Sequence, residues 1–401
     1  MMQSWVERGE KVRMNTYSSF PIVMEKGKGV YIWDVKGNKY LDFGAGIAVN
    51  ALGYGNDTYI ETVSNQLRRL CHCSNLYWNQ PSIEVAEYLV KNTCFQRVFF
   101  CNSGAEAVEG ALKLGRKYGK KMKGNHSCRI ISMQQSFHGR TLGAITVTGQ
   151  EKYQKAFTPL LPGVDYVPFN DFAALKKAIS EETCAILLEP IQGEGGIWPA
   201  KKEYLQAVRK LCTENHILLI VDEVQTGIGR TGNLFAYECY DIEPDILATA
   251  KGLGGGIPIG AILAKEEVAS CFMPGDHAST FGGNPLSCSA AKVVLQKLLE
   301  EGLLEEVKKN SKYLQQGLLY LQEKYNFIKE IRGIGLMKGL EFHIPIAEII
   351  KECIDQGLLL VGAGSHVIRF VPPLVISKKE IEEGIQILDQ VLQRIHKNTI
   401  K

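Results

Sequence analysis

Long apolar runs are missing. Nowhere in the 401 residues do about 18 apolar residues follow one another, so no membrane-spanning helix is expected. An excess of charge is missing too: 46 Lys and Arg stand against 43 Asp and Glu, a net of +3, too little to point to nucleic acid or an anionic membrane surface. The 11 cysteines lack the spacing of a disulfide framework and scatter as in a reduced, cytoplasmic protein. The start, MMQSWVERGEKVRMN, has no apolar segment of the secretory kind and reads as polar and mobile. Cys71-His72-Cys73 clusters metal-ligating residue types, but its spacing fits no zinc pattern, so no metal site is expected. There is no GxxxxGK[ST] nucleotide loop, no internal repeat and no low-complexity segment.

What is present suits a globular enzyme, with 45% apolar and 22% charged residues. A chain of this length exceeds one compact core and predicts a large domain with a smaller one. From about residue 95 to 265 strand-like runs alternate with helical ones, which predicts an α/β domain doubly wound around a mostly parallel sheet. Strands are read at Arg97–Cys101, Arg129–Met133, Cys184–Leu188, Ile217–Val221, in the run before Lys251, and at Pro258–Ala264. Ahead of them, Val30–Val35 and Lys39–Phe43 flank a turn at Gly37 as a hairpin, and Pro81–Asn92 is a helix. Behind them come helices from Leu286 to about Gly302 and over Leu303–Tyr325, then Arg332–Phe342 as one strand. Ile346–Gln356 reads as a helix, Val367–Phe370 as a short strand stopped by prolines, and Lys378–Lys397 as a closing amphipathic helix.

Chemistry-bearing residues collect at the strand ends, where ligands sit in open parallel sheets. In ILATAKGLGGG, an apolar run ends at Lys251, before glycines at 252, 254, 255 and 256. This lysine is either a surface residue ahead of a glycine loop or an amine that desolvation makes nucleophilic. The second reading gives a Schiff base with pyridoxal phosphate, the glycines admitting a flat, bulky ligand. Asp222 ends another strand, as a catalytic carboxylate or as a helix cap. Ser103, Gly104 and Ala105 lie between a strand and a helix start, which makes an anion site. In QQSFHGRT, Phe137 and His138 offer rings to a flat cofactor and Arg140 a two-pronged grip for a carboxylate. The plain alternative is a loop with a core phenylalanine and a surface arginine. Glu189 and Glu194 sit in a glycine-rich loop, either facing solvent or lying in a cleft with arginine partners. Thr280 is available to touch a phosphate, and Arg369 rides on a short strand. Residues 44–55, GAGIAVNALGYG, are a buried loop near a ligand or interface, or a connector.

Eight segments in order are LDFGAGIAVNAL (41–52), NSGAEA (102–107), FHGRT (137–141), LEPIQGEGGI (188–197), DEVQTGIGRTG (222–232), AKGLGGG (250–256), STFGGNP (279–285) and IRFVPP (368–373). Together they make the chain resemble, from about Tyr17 to Leu392, the class III pyridoxal-phosphate-dependent aminotransferases, in their acetylornithine/ornithine branch. The resemblance implies fold type I: a large domain at 51–290, and a smaller α+β part formed by an N-terminal segment at 1–50 and a C-terminal one at 291–401. It implies that Lys251 holds pyridoxal 5′-phosphate and shuttles a proton, and that Asp222 keeps the ring nitrogen protonated. Phe137 would cover one ring face with His138 nearby, Gln225 would contact the ring hydroxyl, and Ser103, Gly104 and Ala105 would bind the phosphate. Thr280 would reach the phosphate of a neighbouring subunit, making a homodimer with shared sites. Substrate would meet Tyr17 and Arg140 at its far end, Arg369 near the reacting carbon, and Glu189, Glu194 and Ser279 around it, with Glu194 swinging onto Arg369. The implied reaction moves the δ-amino group of N2-acetylornithine to 2-oxoglutarate in arginine biosynthesis. Ornithine, succinylornithine, succinyldiaminopimelate or 4-aminobutyrate are alternative donors, and a racemase, an aminomutase or a scaffold without chemistry are alternative classes. Two departures from the family stand out: Val108 replaces a common asparagine, and Gly53-Tyr54-Gly55-Asn56-Asp57 replaces a GHCHP-like turn.

Overall fold

Apolar runs separated by helices build one seven-stranded sheet in the computed structural model, which describes residues 4–399. In chain order its strands are β1 (Arg97–Cys101), β2 (Arg129–Met133), β3 (Val164–Val167), β4 (Thr183–Leu188), β5 (Leu218–Asp222), β6 (Ile246–Thr249) and β7 (Gly260–Ala264). In space they run β1-β7-β6-β5-β4-β2-β3. Only β7 is antiparallel to its neighbours, β6 and β1; the other pairings are parallel. Every residue of β4, β5, β6 and β7 is buried, so these strands are apolar without alternation, as a sheet covered on both faces requires. Register brings Asp222 at the end of β5 beside Ala248 of β6, three residues before Lys251. The candidate residues therefore gather at the carboxyl ends of central strands.

The helix Gly104–Lys123 lies on the sheet close enough to need its glycines. A Cβ at Gly110 would sit 2.3 Å from Ile262 Cδ1. This is the close packing that a glycine inside a helix, costing roughly 1 kcal/mol against alanine, predicts.

Beside the large sheet stand two four-stranded sheets and a two-stranded one, Ile191–Gln192 with Trp198–Pro199, which closes the loop after β4. In one of the four-stranded sheets, Lys39–Asp42 pairs with Tyr31–Asp34 and, in parallel, with Leu358–Leu359, so the N-terminal hairpin shares a sheet with the C-terminal part. The other is antiparallel and holds Ile328–Ile334, Met337–Phe342, Val367–Phe370 and Val361–Gly362. Here the expected single strand Arg332–Phe342 is corrected to a hairpin. The chain reverses at Gly335, whose φ is +60° and where a Cβ would lie 2.5 Å from the Arg230 carbonyl oxygen, so only glycine fits. The N-terminus is also corrected: Trp5–Val12 is a helix, closed by a capping box between Ser4 and Glu7. None of its residues is buried.

Candidate active site

Asp222 forms the floor. Its Oδ2 lies 2.7 Å from His138 Nδ1 and its Oδ1 accepts the Val224 N–H at 2.9 Å, so both oxygens are fixed. Both side chains are buried. The His138 backbone N–H donates to Thr148 Oγ1 at 2.8 Å, which holds the ring over the carboxylate. Glu189, just past β4, lines the same cavity. Its two oxygens accept the amides of Phe137 at 3.0 Å and Gly193 at 3.1 Å. Burial pushes its carboxyl up to about 7, with His138 opposing and Asp222 reinforcing the shift.

Lys251 stands two residues beyond β6, with φ +43°. A left-handed backbone at a residue with a side chain costs roughly 1–3 kcal/mol and collects at ligand walls. Its side chain is half-buried, and its Nζ makes no hydrogen bond among the described residues. Desolvation lowers its pKa to about 8, Arg369 adding to the effect and Glu194, Asp222 and Glu189 opposing it. The amine is charged below that pH and neutral above it, and only the neutral form attacks a carbonyl. The rate at which the apo-protein captures pyridoxal phosphate, followed by stopped-flow absorbance, should rise with pH and reach half its plateau near about pH 8. A free lysine would do so only near its ordinary value of about 10.4.

These groups line a cavity of about 310 Å³, together with Phe137, Gln225 and the start of the helix Gly104–Lys123. Ser103 caps that helix by accepting the Glu106 N–H at 3.2 Å, and the Glu106 carboxylate reaches back to the Asn102 N–H at 2.6 Å. Gly104 is pressed against Val224, where a Cβ would come within 2.6 Å. The free N–H groups of Gly104 and Ala105 thus open on the cavity, where a phosphate would be bound by them and by the helix dipole. Ser279 Oγ accepts a hydrogen bond from Asn102 Nδ2 at 3.0 Å and joins this end of the site. The neighbouring Thr280 is exposed.

Arg369 is buried behind Gln225. Its Nη1 donates to Glu194 and, at 3.0 Å, to Gln225 Oε1; its Nη2 donates to the Gly362 carbonyl at 3.3 Å. Its Nε is buried without a partner. Desolvation pushes the Glu194 carboxyl up, but the charge and hydrogen bond of Arg369 outweigh it and hold the group below the usual range. Arg140 lies with Cζ 4.2 Å from the Tyr153 ring centroid and 5.6 Å from that of Phe137. Tyr17 is 73% exposed and lines a groove with Trp5 and Phe20. Among the described residues no contact joins it to Arg140.

The sequence reading missed Glu109. Its Oε1 accepts the Thr141 hydroxyl at 2.5 Å and the amides of Gly143 at 3.0 Å and Ala144 at 3.3 Å. It therefore ties the start of the helix Leu142–Val147, which follows the Phe137–Arg140 loop, to the helix Gly104–Lys123. Its one signal is its place a turn after Glu106 on that helix. Val49 and Ile257–Ile259 also line the cavity; for the first, the apolar glycine-rich stretch 44–55 was a pointer.

The chain as a whole is similar to known proteins. The family model for class-III aminotransferases matches residues 13–392. The acetylornithine aminotransferase of Caldanaerobacter subterraneus is 55% identical over 96% of this chain and 98% of its own length. That of Methanocaldococcus jannaschii is 48% identical over 98% and 99%. Among solved structures, N-acetylornithine aminotransferase from Stenotrophomonas maltophilia superposes with a TM-score of 0.84 at 36% identity, covering 98% of this chain and all of that one. Ornithine aminotransferase from Toxoplasma gondii, whose active site holds pyridoxal phosphate at partial occupancy, superposes with 0.95 at 32% identity, covering 99% and 95%. Sheet order, site geometry and full-length similarity agree: the chain belongs to the class III aminotransferases, a family of pyridoxal-phosphate-dependent transaminases.

Proposed function

We propose that this chain moves the δ-amino group of N2-acetylornithine to 2-oxoglutarate, giving N-acetylglutamate 5-semialdehyde and glutamate, with pyridoxal 5′-phosphate as its cofactor. The observation that carries the reading is the buried Arg369 at the cavity edge, paired with a carboxylate on a glycine-rich loop. Glutamate reacts at its α-amine, so its α-carboxylate comes next to the reacting carbon, where Arg369 can take it. Acetylornithine reacts at its δ-amine, so its carboxylate lies several bonds away, toward Arg140. Arg369 would then be a buried, unpaired charge, which is costly, and Glu194 covers it. The names of relatives at 48–55% identity support the acetylated donor.

The residues present fit the cofactor: an amine free of hydrogen bonds, a carboxylate with both oxygens fixed, and helix N–H groups opening on the same cavity. Lys251 would hold it, Asp222 would pair with its ring nitrogen, and Phe137 would cover one face. His138 would steady Asp222, and Gln225 would touch the ring hydroxyl. Ser103, Gly104 and Ala105 would take the phosphate. Bound there, pyridoxal phosphate supplies an electron-poor ring that draws electrons from the substrate carbon. Lys251 Nζ would take the proton from that carbon and deliver it elsewhere than to that carbon, since putting it back would only exchange or invert the substrate and leave the amino group on it.

A homodimer completes the proposal, Thr280 reaching the phosphate of the second copy. It is supported by exposed apolar side chains beside that threonine: Leu76 at 84%, Trp78 at 90% and Phe281 at 58%. Asn75 ties the two segments together by donating to the carbonyls of Ser279 and Gly282. Residues 51–290 would bind the cofactor, with 1–50 and 291–401 forming the smaller part, in a cytoplasmic enzyme.

A donor panel with 2-oxoglutarate tests the substrate. We expect kcat/KM for acetylornithine to exceed that for ornithine by at least about tenfold, since a pocket built for a polar group discriminates strongly. The fit to ornithine aminotransferase makes ornithine the second reading, and a panel led by ornithine would decide for it. In Glu194→Gln the acetylornithine half-reaction should slow by about tenfold, the scale of a lost hydrogen bond to a charged group, while the glutamate half-reaction changes little. Equal slowing in single-turnover measurements would remove the alternate use of Arg369.

A further inference from the structure

Arg332, Gly339 and Arg369 lie in register on three adjacent strands. Arg332 pairs with Gly339, and Gly339 with Arg369. Cross-strand partners project to the same face of a sheet, so two arginines flank a glycine in one row. The loop that follows β4 lies on that row. Arg369 holds Glu194. Arg332 donates through Nε and Nη2 to the Gly196 carbonyl, at 3.1 and 2.9 Å. Between them, the absent side chain of Gly339 makes room for Ile197: a Cβ at 339 would lie 2.8 Å from the Ile197 Cβ. The Trp198 ring closes the row, 3.7 Å from Arg332 Cζ. Arg332 is itself buried, and its remaining Nη1 is held by Glu330 at 2.7 Å and by Glu341.

A guanidinium fixed on one side by two carboxylates and aimed with two N–H groups at one carbonyl is an oriented clamp, which a lysine cannot reproduce. The clamped carbonyl, that of Gly196, is two residues from Glu194, with only Gly195 between, itself packed so closely that a Cβ there would lie 2.6 Å from the Gln135 carbonyl oxygen. A fixed point at Gly196 therefore limits the arc through which the Glu194 carboxylate can travel. We propose that Arg332, seated against Gly339, is a positioning residue for Glu194. It anchors the loop so that Glu194 covers Arg369 when the distal-amine donor is bound, and finds the same place again after each dicarboxylate leaves. The guanidinium of Arg332 is taken up by the Gly196 carbonyl, Glu330, Glu341 and the Trp198 ring, so it acts through the loop that carries Glu194 and not on substrate. The inference rests on the alternate use of Arg369 proposed above.

The test uses holoenzyme with Arg332→Lys, Gly339→Ala and, as reference, Glu194→Gln. Arg332→Lys keeps the charge between Glu330 and Glu341 but loses the paired donation. Gly339→Ala alters no charge and pushes Ile197 off the row. In both, the acetylornithine half-reaction should lose about five- to tenfold in kcat/KM, the scale of a weakened charged hydrogen bond, while the glutamate half-reaction changes by less than about twofold. Hydrogen exchange over residues 193–198, read without substrate, should quicken in both variants more than exchange over the seven-stranded sheet, which separates a loosened loop from a general loss of stability. An asymmetric loss in Glu194→Gln beside equal losses and unchanged exchange in the other two variants overturns the anchor alone. Equal losses in Glu194→Gln overturn the alternate use of Arg369, and with it the task assigned to Arg332.

Discussion

Replacing Lys251 by alanine should lower kcat/KM by on the order of 10⁴-fold or more, since in the function proposed above one amine is both the tether and the base. The loss should not come from unfolding. Lys251 makes no hydrogen bond among the described residues, and its desolvated amine is held down to a pKa of about 8, which is a cost to the fold. The sign follows from linkage: a depressed pKa means the native state resists protonation, so native stability falls as pH drops from the unfolded lysine value of about 10.4 to about 8, and the full cost is present below that. Alanine removes that term, and the variant should melt no lower than the parent at pH 7. Alanine keeps the strain of φ +43° at this position, so the wall of the cavity stays as it is. Borohydride treatment followed by mass measurement gives the second readout. The parent should carry the cofactor covalently and the variant should not, although Asp222 and the helix N-terminus remain to bind it. A variant that keeps the covalent mass, or more than about a hundredth of the activity, would remove Lys251 from both roles.

What the sequence could and could not disclose follows from how local each signal is. Strands β2 and β4 to β7 were legible because burial of all or nearly all their residues makes them short apolar runs with small-residue ends. Strand β1, at one edge of the sheet with one buried residue, was legible as the unbroken apolar run VFFC. Strand β3, VDYV, at the other edge, was not: only one of its four residues is buried, and its polar second residue breaks the run. The helix Asp57–Arg69 was lost for a similar reason: none of its residues is buried, and its cap, Asn56, read as part of a turn. The site residues at strand ends were legible because sheet topology places them together whatever the loops do. Contacts that depend on register were not. The bond from Arg369 to Glu194, which spans 175 positions, was expected only through the family resemblance, and the row Arg332-Gly339-Arg369 was not expected at all: it exists because residues 328–342 form a hairpin, which the reading of one long strand had hidden. Tyr17 and Thr280 show a further limit. Both are exposed in the single chain, so their proposed roles need a surface that no local pattern encodes.

Asp222→Asn should lower kcat/KM by about 10²–10³-fold, the scale of removing one preorganised electrostatic contact from a dry site. The substitution keeps the shape and tests the charge. Asparagine can still accept the Val224 amide through its carbonyl oxygen, as Asp222 Oδ1 does at 2.9 Å. Its NH₂ group would then face His138 Nδ1, where Asp222 now offers an acceptor at 2.7 Å. The imidazole can answer by moving its proton to Nε2, which is buried without a partner, so the exchange moves the unsatisfied polarity without adding to it. The fold should therefore hold. A protonated ring nitrogen, however, would have lost its anion, and the ring would be a weaker electron acceptor. The deficit should appear in both half-reactions alike, because each removes a proton from carbon. That separates it from Glu194→Gln, where only the acetylornithine half-reaction should suffer. It is also separated from Lys251→Ala by borohydride, since Lys251 in the Asp222→Asn protein should still retain the cofactor covalently. Near-normal turnover in this variant would show that the carboxylate at the end of β5 is a cap for the Val224 amide and not the partner of the ring.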